Sequence, residues 1–157
     1  MIRFSRSLTI SASPTSVWNV LERFMQIDEF APLIASVDAL TSGDIGVGSQ
    51  RRCHFEDGNS LVEEVTDWRP GQSYRVQLSD FAPMPLRRAA AEIRITPAEP
   101  GKTRVVWSME YQVKFGPLGW VLGQTMMKLM MRKVLDANLH GLADRATSPQ
   151  LDMKRSA

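Results

Sequence analysis

The stretch Lys114–Leu142, KFGPLGWVLGQTMMKLMMRKVLDANLHGL, decides how the rest of the chain is read. It has no strand-like alternation and reads as one long helix running from about Pro117 to Ala146. A helix of roughly thirty residues is about 45 Å long at about 1.5 Å per residue. At about 100° per residue, Trp120, Met127, Met131, Val134, Asn138 and Leu142 fall on one stripe. Arg132, Lys133, Asp136, His140 and Asp144 gather on the other side of the second half. The first half is apolar there as well, with Leu118, Leu122, Thr125 and Leu129. That second stripe needs a cover of its own, such as loops, a second subunit, a membrane surface or a ligand.

Upstream of this helix the pattern is mostly of period two. "IRFSRSLTI" alternates as a strand from Ile2 to Ile10. "SASPTSVWNVLERF" starts a helix, with Ser13 as N-cap and Pro14 at the first helical position. A second short helix follows through "QIDEFAP" and stops at Pro32. Six strands come next: "IASVDALTS", "SQRRCHFE", "SLVEEVTDW", "SYRVQLSD", "LRRAAAEIRITPAE" and "TRVVWSMEYQVKF". "DGN" signals a hairpin between the second and third of these. A curved antiparallel sheet needs its concave face covered, and only the last helix is long enough.

Composition restricts the alternatives. The chain has 157 residues, 43% hydrophobic, 23% charged, with a formal net charge of +2. The sequence pI is near 8.9, but the basic residues are scattered, without the aromatic platform a nucleic-acid surface needs. One cysteine, Cys53, excludes an internal disulfide. The N-terminus has no long apolar segment of signal-peptide type. The apolar run Gly116–Met131 is interrupted by Lys128 and is short for a membrane span. A cytoplasmic protein without stable membrane insertion is expected, with one domain over 1–147 and a frayed tail over 148–157. No zinc-spaced Cys/His set, HExxH, GxSxG or Rossmann fingerprint occurs, so no metal and no cofactor are expected. The "GDIGVGS" loop lacks the following helix and the Lys-Ser/Thr pair of a phosphate loop.

The order of elements and the segments "SASPTSVWNVLERF", "IDEFAPLI", "GVGSQRR", "LVEEVTDWRPGQSYRV", "TRVVWSMEYQVKFGPLGWVLG" and "GLADRA" resemble the START/Bet v 1-like superfamily. The resemblance is to its polyketide cyclase/dehydrase branch (SRPBCC) and covers about Ile2 to Ala146. It implies an α+β helix-grip fold: a seven-stranded curved antiparallel sheet around the C-terminal helix, with two short helices after the first strand. It also implies a deep, mostly apolar cavity. Members bind lipids, sterols, polyketides, hormones and similar molecules, and some cyclise or dehydrate aromatic precursors. Fold alone is a poor warrant for catalysis.

Alternation picks the side chains that line such a cavity. Tyr74, Val76 and Leu78 share one face of their strand, and Ala89, Ala91, Ile93 and Ile95 one face of theirs. Val105, Trp107, Met109, Tyr111 and Val113 form the inner row of the last strand. Small alanines leave room, although they equally suit close packing against the helix. Trp120, Met127 and Met131 suit a pocket for variously shaped apolar molecules. Asn138 on that stripe needs a partner: backbone, water or a ligand oxygen. Phe81 and Met84, in the "DFAPMP" loop, suit a lid, and this loop and "GDIGVGS" are expected to frame the mouth. Taking the "DGN" turn as even in length puts Arg51, Cys53, Phe55, Val62, Glu64, Thr66 and Trp68 inward. Glu64 is then a partly buried carboxylate beside Arg51. The opposite assignment turns His54 and Glu63 inward as neighbours, a pair suited to acid–base work. Catalytic candidates are therefore Glu64, Tyr111, His54 and Glu63.

The reading that best fits these residues is a binding protein for a hydrophobic small molecule, with no nucleic-acid partner. A cyclase or dehydratase acting in the same cavity is the alternative. A module that forms a homodimer or touches membrane through Leu118, Leu122 and Leu129 is the third.

Overall fold

Ser13 and Pro14 start the first helix in the expected way. The Ser13 hydroxyl accepts from the Ser16 backbone N–H at 3.2 Å, and Pro14 opens helix α1, Pro14–Leu21. Val17, Trp18, Val20 and Leu21 are its buried face. A 3₁₀ segment, Phe24–Glu29, follows, kinked at Gln26. The computed structural model describes residues 1–114 and 116–147, the side chains of 122 and 123 excepted. The expected tail, 148–157, and Phe115 lie outside the described residues.

Seven strands make one antiparallel sheet: β1 Ile2–Ile10, β2 Ile34–Ala39, β3 Gln50–Phe55, β4 Ser60–Arg69, β5 Ser73–Ser79, β6 Leu86–Pro97 and β7 Thr103–Val113. Their order is β1-β7-β6-β5-β4-β3-β2. Among the described residues, only the β1–β7 pairing joins strands distant in sequence. The long C-terminal helix follows as α2, Gly116–Leu122, a π-helical turn, Gly123–Met127, and α3, Lys128–Ala146. The α+β helix-grip architecture expected from the sequence is thus the observed one.

Alternating burial marks the inner face of the sheet. Along β6, Ala89, Ala91, Ile93 and Ile95 are buried; along β7, Val105, Trp107, Tyr111 and Val113. On β5 the buried inner residues are Tyr74, Val76 and Leu78. All of these faces agree with the reading from alternation.

The π turn corrects the reading of the long helix. One extra residue per turn advances the phase, so a residue seven before Met127 no longer shares its face. Trp120 is accordingly 55% exposed, and Gly119, eight before Met127, is buried instead. Past the π turn the sheet-facing stripe is Met127, Met131, Leu135, Asn138, Leu139, Leu142 and Ala146. Val134 is only partly buried. In the second stripe Leu118, Thr125 and Leu129 are exposed, while the Leu122 side chain lies outside the described set.

Two devices anchor this helix. Arg6 reaches from β1 and donates to both carboxylate oxygens of Asp136 at 2.8 and 2.9 Å. The hydrogen bond from Arg6 holds the Asp136 carboxyl below its ordinary range. Its stabilisation is therefore complete above the unfolded-state value of about 3.9 and is lost as pH falls through the lower folded value. Both side chains are about two-fifths exposed, at 41% and 40%, so solvent screens much of the gain. Asp136→Asn is expected to lower Tm slightly at pH 7 and to have no further effect in strong acid, a difference read by thermal melts at the two pH values.

The second device is a close approach. Gly141 of α3 lies against the 3₁₀ segment's exit, where an added Cβ would sit 1.9 Å from the Phe30 carbonyl oxygen. No side chain fits there, so glycine is required for contact rather than for an unusual φ.

Candidate functional site

The turn between β3 and β4 decides which groups face the helix. His54 pairs with Ser60, leaving five residues between the paired positions. Phe55 N–H donates to Asn59 O at 2.8 Å, and Gly58 N–H to Phe55 O at 3.0 Å. Gly58 has φ +92°. This is the three-residue hairpin loop that ends on a left-handed glycine. Its odd length overturns the even-length expectation. Arg51 pairs with Glu63, and Cys53 with Leu61.

Arg51, Cys53, Leu61, Glu63 and Val65 therefore face inward. Val62 is buried too, at 9% exposure, but from the other face. Glu64 does not point inward; it accepts from Gln50 Nε2 beside the outer face. His54 does not meet Glu63 either. Its Nε2 lies 2.7 Å from Asp38 Oδ2, on an exposed part of the opposite face. A register shift between Val65 and Asp67 then reverses the phase and returns Trp68 to the inner face, as expected.

The inward cluster is tightly bonded. Arg51 is 1% exposed and donates from Nη1 to Phe24 O at 2.6 Å. From Nη2 it donates to Glu63 Oε1 at 3.2 Å, and its guanidinium carbon sits 3.8 Å from the Phe24 ring centroid. Cys53 Sγ donates to the same Glu63 oxygen at 3.2 Å. Burial works against the Arg51 charge, but Glu63 and neighbouring Tyr74 and Cys53 leave its pKa above the ordinary value. Burial, aided by Glu63, pushes the Cys53 thiol well up, so it stays protonated and is a poor nucleophile. With its guanidinium shared among a carbonyl, a carboxylate and a ring, Arg51 is held as a structural cation. The reading of the sequence placed Arg51 and Glu63 on opposite faces; counting a three-residue loop ending at Gly58 would have joined them.

Next to this cluster, Trp68 stacks on Tyr74 with centroids 5.3 Å apart, and Phe24 meets Tyr74 edge-on at 5.8 Å. Trp18 lies 5.3 Å from Trp68. Burial raises the pKa of Tyr74, with Arg51 opposing, and raises that of Tyr111. Both phenols keep their protons at neutral pH and act as hydrogen-bonding groups rather than bases.

Register aligns the remaining inner residues into rows across the sheet. One row runs Ile2, Tyr111, Ala89, Leu78 and Glu63; the next runs Phe4, Met109, Ala91, Val76 and Val65. A third runs Arg6, Trp107, Ile93 and Tyr74. In the first two rows β6 contributes only Ala89 and Ala91, between larger neighbours on β5 and β7. The floor is therefore lowest over β6. Phe4 and Met109, paired across β1 and β7, are only partly buried although they lie on the helix side. Met127, Met131 and Asn138 lie on the sheet-facing stripe of the helix, and Asn138 Oδ1 is buried with no hydrogen-bond partner among the described residues.

The two loops expected to frame one mouth lie at opposite ends of the sheet. The loop between β5 and β6, with half-buried Phe81 and Met84, continues beyond the Val62–Ser79 pair. The loop between β2 and β3 returns at the other end, where Gly48 N–H donates to Val65 O. Only the Phe81–Met84 loop is near the start of the long helix, through Lys114 N–H donating to Pro85 O.

Other features of the surface are of a different kind. A hollow of about 290 Å³ is lined by Arg3, Ser5, Arg75, Ala90, Ser108 and Glu110, with Phe4 and Met109, and a smaller one adjoins it. Arg3 and Arg75 both pair with Glu110 there. Its charged rim does not match an apolar guest. Among the described residues no three His, Cys, Asp or Glu side chains gather as a metal site, and no helix is long and apolar enough to cross a membrane.

Comparison with known proteins gives the fold a family. The family described as "Polyketide cyclase / dehydrase and lipid transport" matches residues 1–147. Among solved structures, the Zhui aromatase/cyclase from Streptomyces sp. R1128 is 18% identical, with a TM-score of 0.78 over 92% of this chain and 93% of that one. XoxI from Bacillus cereus is 19% identical, with a TM-score of 0.75 over 96% and 99%. Ara h 8.0201 is 15% identical, with a TM-score of 0.67 over 90% and 97%. At these identities the structures share the fold. A search of curated proteins gives no match.

Proposed function

Since the chain belongs to the polyketide cyclase/dehydrase and lipid-transport family, we propose that it binds one hydrophobic small molecule, a lipid or polyketide, between the inner face of β6 and the C-terminal helix. The observation that carries this reading is the low floor at Ala89 and Ala91, beside partly buried Met109 and Phe4. Tyr74, Val76, Leu78, Ile93, Trp107 and Tyr111 surround that floor from the sheet. Met127, Met131 and Asn138, on the buried stripe of the helix, would supply the opposite wall, and Phe81 and Met84 belong to the loop at the end where the helix begins. Asn138 Oδ1 supports a ligand with a hydroxyl, because a buried acceptor left without a donor costs about 1–3 kcal/mol. The single cysteine, free and buried, accords with a reducing, cytoplasmic setting.

Filling the floor tests the reading. Ala91→Leu adds three carbons where the ligand would lie. It is expected to weaken binding of a fluorescent fatty acid by about ten- to a hundredfold, the equivalent of about 1–3 kcal/mol of overpacking. Equal affinity in both proteins, measured by fluorescence titration, would place the ligand elsewhere.

Catalysis by the same site is the second reading, favoured by Glu63, a carboxylate on the inner face with 13% side-chain exposure. Glu63 replaces Glu64 and His54 as the group able to exchange a proton with a bound ketone or alcohol, and Tyr111 is a hydrogen-bonding group farther along the same row, beyond Leu78 and Ala89. Cyclisation or dehydration of a polyketone by the wild-type protein, abolished in Glu63→Gln while ligand binding is kept, would establish this reading.

A further inference from the structure

The exposed large apolar side chains concentrate on one element. Leu118, Trp120, Val121, Met126, Leu129 and Met130 are 51–77% exposed, all within thirteen residues of the long helix. Met126 and Met130, four apart, share an outward face, as do Leu129 and Lys133. Met127 and Met131 turn the opposite face to the sheet. Burying a helix's inner stripe does not account for a second apolar face.

Charge indicates what covers it. Between Glu110 and Asp136 the chain contains no acidic residue, but it contains Lys114, Lys128, Arg132 and Lys133. None of the four is ion-paired among the described residues, and all but the partly buried Lys128 are exposed. An apolar face bordered by Lys and Arg has the make-up of a helix that lies in a membrane interface. The apolar side chains enter the headgroup–acyl boundary and the long basic ones reach the headgroups. A second copy of the chain suits the face less well. A two-fold contact would bring the basic residues of both copies into one seam, with no carboxylate in the segment to pair them.

From this juxtaposition we infer that the outward face of residues 116–133 docks the protein on the surface of an anionic phospholipid bilayer. The helix lies along the surface and does not cross it. The inference is independent of what the inner site binds, because it uses the opposite face of the helix.

Co-sedimentation with vesicles tests it. The wild-type protein is expected to sediment with phosphatidylcholine vesicles containing about one-third phosphatidylglycerol, and at least about tenfold less strongly with phosphatidylcholine alone or in high salt. Leu129→Gln with Met130→Gln, at exposed positions, is expected to abolish sedimentation while leaving Tm unchanged. Lys128→Glu with Lys133→Glu is expected to remove the preference for anionic vesicles. Ala91→Leu is expected to sediment as the wild type does, which separates surface docking from uptake of lipid into the inner site. Failure of the wild type to sediment with anionic vesicles overturns the inference, as does indifference to either double substitution. So does a dimer in sedimentation velocity that Leu129→Gln with Met130→Gln dissolves, since a second copy then covers the face.

Discussion

Gly141→Ala is expected to destabilise the protein by about 2–3 kcal/mol, lowering Tm by about 5–10 °C. Helix propensity alone predicts the opposite sign, because alanine is favoured over glycine by about 1 kcal/mol inside a helix. The contact decides. A Cβ at this position would lie 1.9 Å from Phe30 O and 3.1 Å from Phe30 C, and both are backbone atoms that cannot rotate away. Either α3 moves off the 3₁₀ segment or the chain around Phe30 shifts, and Phe30 and Ala31 are both buried. Ala137→Gly, one turn earlier in the same helix, supplies the comparison. It costs only the propensity difference, so both substitutions should lower Tm and Gly141→Ala should lower it more. A Tm raised by Gly141→Ala, measured by circular dichroism, would contradict the close approach.

Glu63→Leu is expected to cost about 3–5 kcal/mol, because it leaves the buried Arg51 cation without its counter-charge. The double substitution Arg51→Met with Glu63→Leu should recover much of this, since an apolar pair of similar volume has no charge to desolvate. Recovery should be incomplete. Phe24 O would lose the donor it now has at 2.6 Å, and the Phe24 ring would lose the guanidinium on its face. Urea unfolding of the two single variants and the double one closes the cycle. Additive losses would show that Arg51 and Glu63 do not depend on each other. The cycle also bears on catalysis. A Glu63 engaged with Arg51 and Cys53 can serve chemistry only if it does so without leaving them.

The fold was legible where local pattern and global topology agree. Period-two alternation in Ile2–Ile10, Ser73–Ser79 and Thr103–Val113 assigned inner faces that burial reproduces. Two features of the site were not legible, each for a reason of phase. The π turn at Gly123–Met127 adds a residue to a helix whose composition gives no sign of it, so Trp120 was placed one step away from the buried face. The hairpin after Phe55 inverts the inward assignments along β4, as far as Val65, if its loop is taken as even instead of odd. Gly58, last of three loop residues and left-handed, was the sign of the odd loop. The same miscount separated Arg51 from Glu63 and brought Glu64 and His54 to the fore. The register shift after Val65 then cancelled the error, which is why Trp68 was placed correctly by a reading that misplaced Glu64.

The central claim is that an apolar molecule lies over Ala89 and Ala91, beneath the helix. Native mass spectrometry of the purified wild-type and Ala91→Leu proteins, with solvent extraction of whatever is retained, tests it most directly. The account predicts one lipophilic molecule per chain in the wild type, recovered on extraction or taken up from an added fatty acid, and little or none in Ala91→Leu. A wild-type protein that shows only its chain mass and takes up no added fatty acid would contradict it.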